Sequence, residues 1–208
     1  MGERLLAIDT ATVACSVALF EDGALIASDY AEIGRGHAEK LIPAIAQLPD
    51  RGKAGRILVN CGPGSFTGVR IGISAAKALA LAWNAEINGY SCLALVAAQA
   101  RDQFETPRPV CVAMFAGHGE YFLQNFSATG EPLAPLVSLT PDEAAARVEA
   151  DVIAGSAAAE LAGLAGVDDY YPILPNASHI YLVASDMKKM PSKPVYGRKP
   201  DAQPVKAA

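Results

Sequence analysis

The sequence predicts two α/β lobes built to one plan. Three observations carry this. Each half opens with strands in hairpin order, each then alternates helix and strand patterns, and a Pro-containing stretch separates the halves. Residues 5–9, 15–20 and 24–29 read as strands, and Asp22-Gly23 is a strong hairpin turn between the last two. After Gly34-Arg35-Gly36, the positions Ala38, Leu41, Ile42, Ile45 and Leu48 fall on one helical face. Pro43 lies inside that run, removes one backbone donor and is expected to kink or shorten the helix. Residues 56–60 read as a buried strand feeding the Gly-rich loop at 61–68. A helix over 69–83 follows, apolar nearly all round and therefore in need of cover on several sides. Residues 86–90 form a short strand, and Ser91 is placed to cap a helix reaching about Ala100.

The stretch 102–109, with Pro107 and Pro109, marks the lobe boundary, giving lobes over 1–104 and 105–208. Beyond it, 110–115 and 121–127 read as strands. Thr140-Pro141-Asp142-Glu143 is a helix start, with a hydroxyl cap, Pro at the first helical position and Glu three residues on. Residues 152–154 form a strand, Gly155-Ser156 opens an Ala-rich helix, and Asn176 or Ser178 caps a last helix reaching about Met190.

Composition narrows the class. At 208 residues and 51% hydrophobic, the chain is neither disordered nor short of core. It has no apolar run long enough for a membrane span, and the charged start MGERLLAIDT is not a signal peptide, so the expected location is the cytoplasm. The net charge of −5 is uneven: residues 187–208 carry six Lys or Arg against one Asp, on an otherwise acidic body. Such a body is a poor match for a phosphate backbone, and the basic tail reads most simply as a solvated terminus. Cys15, Cys61, Cys92 and Cys111 are far apart in apolar segments, which suits buried thiols rather than zinc.

Chemical motifs are sparse. The loop from Gly62 to Gly68 precedes a helix, where anions bind well, but its spacing fits neither the Walker loop nor the dinucleotide fingerprint. A tight turn with close backbone approach is the simpler reading. Ser65 has Pro63 where a hydrolase elbow needs Gly, and His37, His118 and His179 lie in separate segments without metal-ligand spacing. Asp9 and Thr10, ending the first strand, could hold a hydrated cation. On spacing alone, an Asp bonding its own turn explains them as well.

The runs LLAIDTATVACSVAL, GRGHAEKLIPAI and GPGSFTGVRIGISAAKALA resemble the bacterial TsaB family, also called YeaZ, over roughly residues 5–94. The likeness returns at Pro194-Val195-Tyr196-Gly197-Arg198. The resemblance implies a two-lobed actin-like ATPase fold (ribonuclease H-like), each lobe starting from a three-stranded meander. It also implies a non-catalytic dimerisation subunit that pairs with TsaD and supports the ATPase TsaE in threonylcarbamoylation of the tRNA adenosine beside the anticodon. By the same resemblance, tRNA is met through the complex, the isolated chain forms a homodimer, and ATP is used by the complex rather than held tightly by this chain. No metal is expected, since Leu41 stands where the second His of the TsaD HxxxH helix would fall after His37. Asp9, Thr10 and Thr12 match the first nucleotide-facing turn as a vestige. The second, from Met114 to His118, has no carboxylate where TsaB relatives commonly carry an Asp-Ala-Arg-like run.

On this reading the surplus apolar surface of two neighbouring helices meets the partner. The expected contacts are His37, Leu41, Ile42, Pro43 and Ile45 on the first helix. At the start and along the second they are Ser65, Phe66, Arg70, Ile71 and Leu79. The alternative is an actin-like-fold ATPase or small-molecule kinase using Asp9. A peptidase is a third reading, without triad, elbow or zinc signature to support it.

Overall fold

The computed structural model describes residues 2–197. In the first sheet, β1 (Arg4–Asp9), β2 (Ala14–Glu21) and β3 (Ala24–Glu32) form an antiparallel meander. Two strands, β4 (Arg56–Asn60) and β5 (Glu86–Tyr90), extend it in parallel from β1, giving the order β3-β2-β1-β4-β5. The second sheet repeats this plan. Its meander is β6 (Val110–Gly117), β7 (Glu120–Phe126) and β8 (Val137–Leu139), with β9 (Val152–Ala154) and β10 (Asp169–Tyr171) in parallel beyond β6. Two lobes of one topology make the two-lobed actin-like architecture. β8 and β10, three residues each, were not legible as strands.

Among the described residues five α-helices complete the lobes: α1 (His37–Gln47), α2 (Phe66–Trp83), α3 (Cys92–Arg101), α4 (Pro141–Ala145) and α5 (Ala158–Ala165). Of these, α3 is sheathed, with every residue from Cys92 to Ala98 buried in a core shared with β6 and β9 of the second lobe. By contrast, α2 keeps a solvent face, so the expected cover on several sides is absent within one subunit. Pro43 neither breaks nor shortens α1, which runs unbroken through it. Pro43 and Glu39 are both exposed, so the Glu39 carbonyl that loses its donor reaches water. Glu143 accepts from both the Thr140 amide and its hydroxyl, capping α4 as expected. Ser91 precedes α3 but makes no side-chain cap bond.

The C-terminal segment departs from expectation. In place of one helix from Asn176 to Met190 there are two 3₁₀ turns, Ala177–Leu182 and Ser185–Lys188, broken by the extended Val183 and Ala184. Asn176 bonds the Ser178 amide two residues on, a turn geometry that competes with an α-helix. The segment also returns to the first lobe, although the division at 104/105 assigned it to the second. Ala177 N donates to Ser16 Oγ, Met190 and Gly89 exchange backbone bonds, and Val195 N donates to Cys61 O. The basic residues Arg198, Lys199 and Lys206, and with them half of the expected solvated tail, lie outside the described residues. All four cysteines are buried and free. Among the described residues no helix is long and apolar enough to cross a membrane.

Candidate functional site

Two places hold the residues singled out in the sequence: the helices α1 and α2, and the turn after β1. On α1, Leu41 and Ile45 point into the subunit's own core, at 1% and 3% exposure, and His37 is buried with Nε2 3.1 Å from Ala14 O. These three are therefore covered by their own chain, which corrects their expected place as partner contacts. Ile42, 49% exposed, and Pro43 lie on the solvent side, as do Ala38 and Ala46. Along α2, Ile71 and Leu79 are half-buried against the core, whereas Leu81 is 87% exposed. Leu81 was missed because an all-apolar helix gives no polar face from which to read orientation.

At the start of α2, Ser65 accepts from the Gly68 amide and caps the helix. Exposed Phe66 lies under the Arg70 guanidinium, 3.5 Å from the ring centroid, and Arg70 Nη2 donates to Tyr196 Oη at 2.8 Å. Tyr196, delivered by the returning C-terminal segment, adds an aromatic side chain that no local pattern could place beside α2.

Gly64, Gly68 and Gly72 explain the glycine run. A Cβ at Gly64 would lie 2.1 Å from Ala11 O, at Gly68 2.1 Å from Thr10 O, and at Gly72 2.4 Å from Thr10 Oγ1. The glycines thus let α2 press directly onto the turn after β1, which is the close-approach reading rather than a phosphate cradle. Thr10 Oγ1 donates to Gly68 O and Ser65 N donates to Ala11 O, fastening the two elements. Thr12 Oγ1 accepts from Ala14 N within the same turn.

Asp9 is 1% exposed. Its Oδ1 accepts from Ala11 N, and its Oδ2 lies within bonding distance of Asn60 Nδ2 and Tyr90 Oη. Burial pushes its carboxyl up to about 6, against the opposing effect of these bonds. Between the lobes lies a cleft of about 1130 Å³, walled by Thr12, Val13, Ser65 and Phe66 on one side and by Phe115 and Ser156 on the other. Asp9 does not line it. Among the described residues no three His, Cys, Asp or Glu side chains converge as a metal site would require.

Residues 31–185 match the family described as "TsaD: tRNA N6-adenosine threonylcarbamoyltransferase". The tRNA threonylcarbamoyladenosine biosynthesis protein TsaB of Escherichia coli K12 is 41% identical over 99 residues, 45% of this chain and 42% of that protein. The protein of the same name from Buchnera aphidicola is 30% identical over 154 residues, 69% of this chain and 72% of its own. The solved structure of YeaZ from Pseudomonas aeruginosa superposes with a TM-score of 0.77 at 28% identity, covering 93% of this chain and 99% of that one. The chain belongs to the TsaB (YeaZ) family.

In this TsaB-family chain the first-lobe carboxylate is bonded to its own turn at Ala11 and to the ends of β4 and β5 at Asn60 and Tyr90, and the opposing turn from Met114 to His118 presents half-exposed Phe115. Phe115 N donates to Ser156 Oγ, which holds that wall against the start of the α5 segment.

Proposed function

We propose that the chain is a non-catalytic docking subunit of the machinery that makes threonylcarbamoyladenosine in tRNA. It pairs through α1 and α2 with a TsaD-like catalytic subunit, assisted by a TsaE-like ATPase, meets tRNA through that complex, and self-associates when alone. The observation that carries this reading is the exposure of Leu81 and Ile42 on two helices that pack side by side. Large apolar side chains left in water on neighbouring helices favour association, and an aromatic–guanidinium group such as Phe66, Arg70 and Tyr196 is a typical interface anchor. The names of the relatives from E. coli and Buchnera support the choice of pathway.

The test is co-purification with a TsaD-like protein, followed by a threonylcarbamoylation assay with and without this chain. Omission should abolish or sharply reduce modification, and unchanged activity would remove the proposal. Leu81→Glu and Ile42→Glu, both at exposed positions, should each weaken complex formation about tenfold or more while leaving the unfolding free energy within about 0.5 kcal/mol of wild type. The ATPase or kinase reading makes an opposite demand. It needs Asp9 in the cleft, whereas that carboxylate is enclosed. Calorimetry of the isolated chain with ATP and a divalent cation should show no micromolar binding.

A further inference from the structure

The enclosed Asp9 carboxylate stands in an arrangement that its role as a turn residue leaves unexplained. Tyr90 Oη lies 3.0 Å from Asp9 Oδ2 and 3.1 Å from Ile8 O. A phenol carries one proton, so it can donate to only one of these two acceptors at a time. We propose that Asp9 and Tyr90 form a two-position proton latch joining the ends of β1 and β5, with Asn60 of β4 as its fixed third member.

With Asp9 ionised, Tyr90 donates to Oδ2. When Asp9 takes a proton from solvent, the new Oδ2–H donates to Tyr90 Oη and the phenol proton turns to Ile8 O. No heavy atom needs to move between these two states. Asn60 stays oriented in both, because its Oδ1 accepts from Gly62 N at 2.7 Å and its Nδ2 must therefore face Asp9.

Among the described residues no cation bonds Asp9 in its charged form. The titratable groups that feel its charge are Cys15 of β2, Tyr30 of β3, Tyr90 of β5 and Cys92 at the start of α3, and burial pushes each of these four away from ionisation. Among the described charges beyond Cys15, Lys40 is already 3.5 Å from Asp29. From α2 the turn receives Gly68 O and glycine backbone, not a charge. Asp9 therefore titrates near 6 in the folded chain and in the ordinary carboxylate range in the unfolded one. Between those values the folded chain binds one more proton than the unfolded chain, so stability contributed by Asp9 falls as pH rises from about 4 to 6 and levels off above. The folding constant should lose roughly 100-fold across that window, about 3 kcal/mol at 1.36 kcal/mol per pKa unit.

The direct experiment is a carbon-13 NMR titration of the Asp9 carboxyl in the wild-type chain. A midpoint near pH 6, with the Tyr90 ring resonances moving at the same midpoint, is the expected result. A midpoint in the ordinary carboxylate range, or a Tyr90 signal that ignores the transition, would overturn the latch. Tyr90→Phe removes a donor from the ionised form and should raise the Asp9 midpoint, and a lowered or unchanged midpoint counts against the proposal. Urea unfolding from pH 4 to 7.5 supplies the linkage. Asp9→Asn should remove the 100-fold component, and an unaltered pH profile would contradict it. Should Asp9→Asn fail to fold, the wild-type titration still decides.

Discussion

Ile45→Asp should abolish cooperative folding of the subunit. The first turns of α1 expose Ala38, Ile42 and Pro43, while Leu41, Ala44 and Ile45 face inward. Ile45 is buried with Leu41 and Leu48 in the main core, and the Gly52 turn closes over it so tightly that a Cβ at Gly52 would lie 2.8 Å from Ile45 Cγ2. Losing the isoleucine side chain costs about 2–5 kcal/mol in such a site. Placing an unpaired carboxylate there adds several more, or forces it to stay protonated at comparable expense. The sum rivals the whole stability of a typical domain, about 5–15 kcal/mol. Urea denaturation followed by circular dichroism should therefore show no cooperative transition, or one beginning near zero denaturant. A variant that melts cooperatively near the wild-type midpoint would mean that Ile45 is accessible and that α1 turns a different face to the sheet. Ile42→Asp, three residues earlier and about 60° around the helix, is the matched contrast and should fold normally.

That contrast shows where the sequence was sufficient. The period in α1 marked Leu41 and Ile45 as sharing a face, but it admitted Ile42 to the same stripe because alanines at 38, 44 and 46 leave the stripe's edge undefined. In α2 and α3 the problem is sharper. Both are Ala-rich and apolar, yet α3 is enclosed between two sheets while α2 carries Leu81 in water. Topology decides this, not composition. The first meander, the pair β6 and β7 and the strands β4, β5 and β9 were legible because hairpin turns and strand-length apolar runs are local signals, whereas the three-residue β8 and β10 carry too short a pattern. The Asp9 bond to Ala11 N is equally local. Its bonds to Asn60 and Tyr90, 51 and 81 residues away, depend on strand order and could not be read beforehand. The same holds for Tyr196, brought beside Arg70 across 126 residues by a segment that the helix pattern had misread.

Gly68→Ala should destabilise the subunit by about 3 kcal/mol, although alanine is the better helix former by about 1 kcal/mol. The added Cβ would lie 2.1 Å from Thr10 O, a distance no real contact shows, and 3.3 Å from Ser65 Cβ. Thr10 O belongs to backbone held on all sides: its own hydroxyl reaches Gly68 O, Ala11 N is bonded to Asp9, and Ala11 O accepts from Ser65 N. Relief requires α2 to move away from the end of β1, breaking the bonds that seat it and shifting Leu81 with the rest of its exposed face. The variant should consequently lose affinity for a TsaD-like partner even under conditions where it remains folded. Gly163→Ala on α5 separates sterics from propensity, since nothing lies within 4 Å of its Cβ position, and it should stabilise by up to about 1 kcal/mol. Chemical denaturation of the two variants side by side checks both signs. A gain in both would mean that helix propensity outweighs contact at Gly68 and that α2 can slide freely on the turn, in which case the proposed docking face is not rigidly placed by β1.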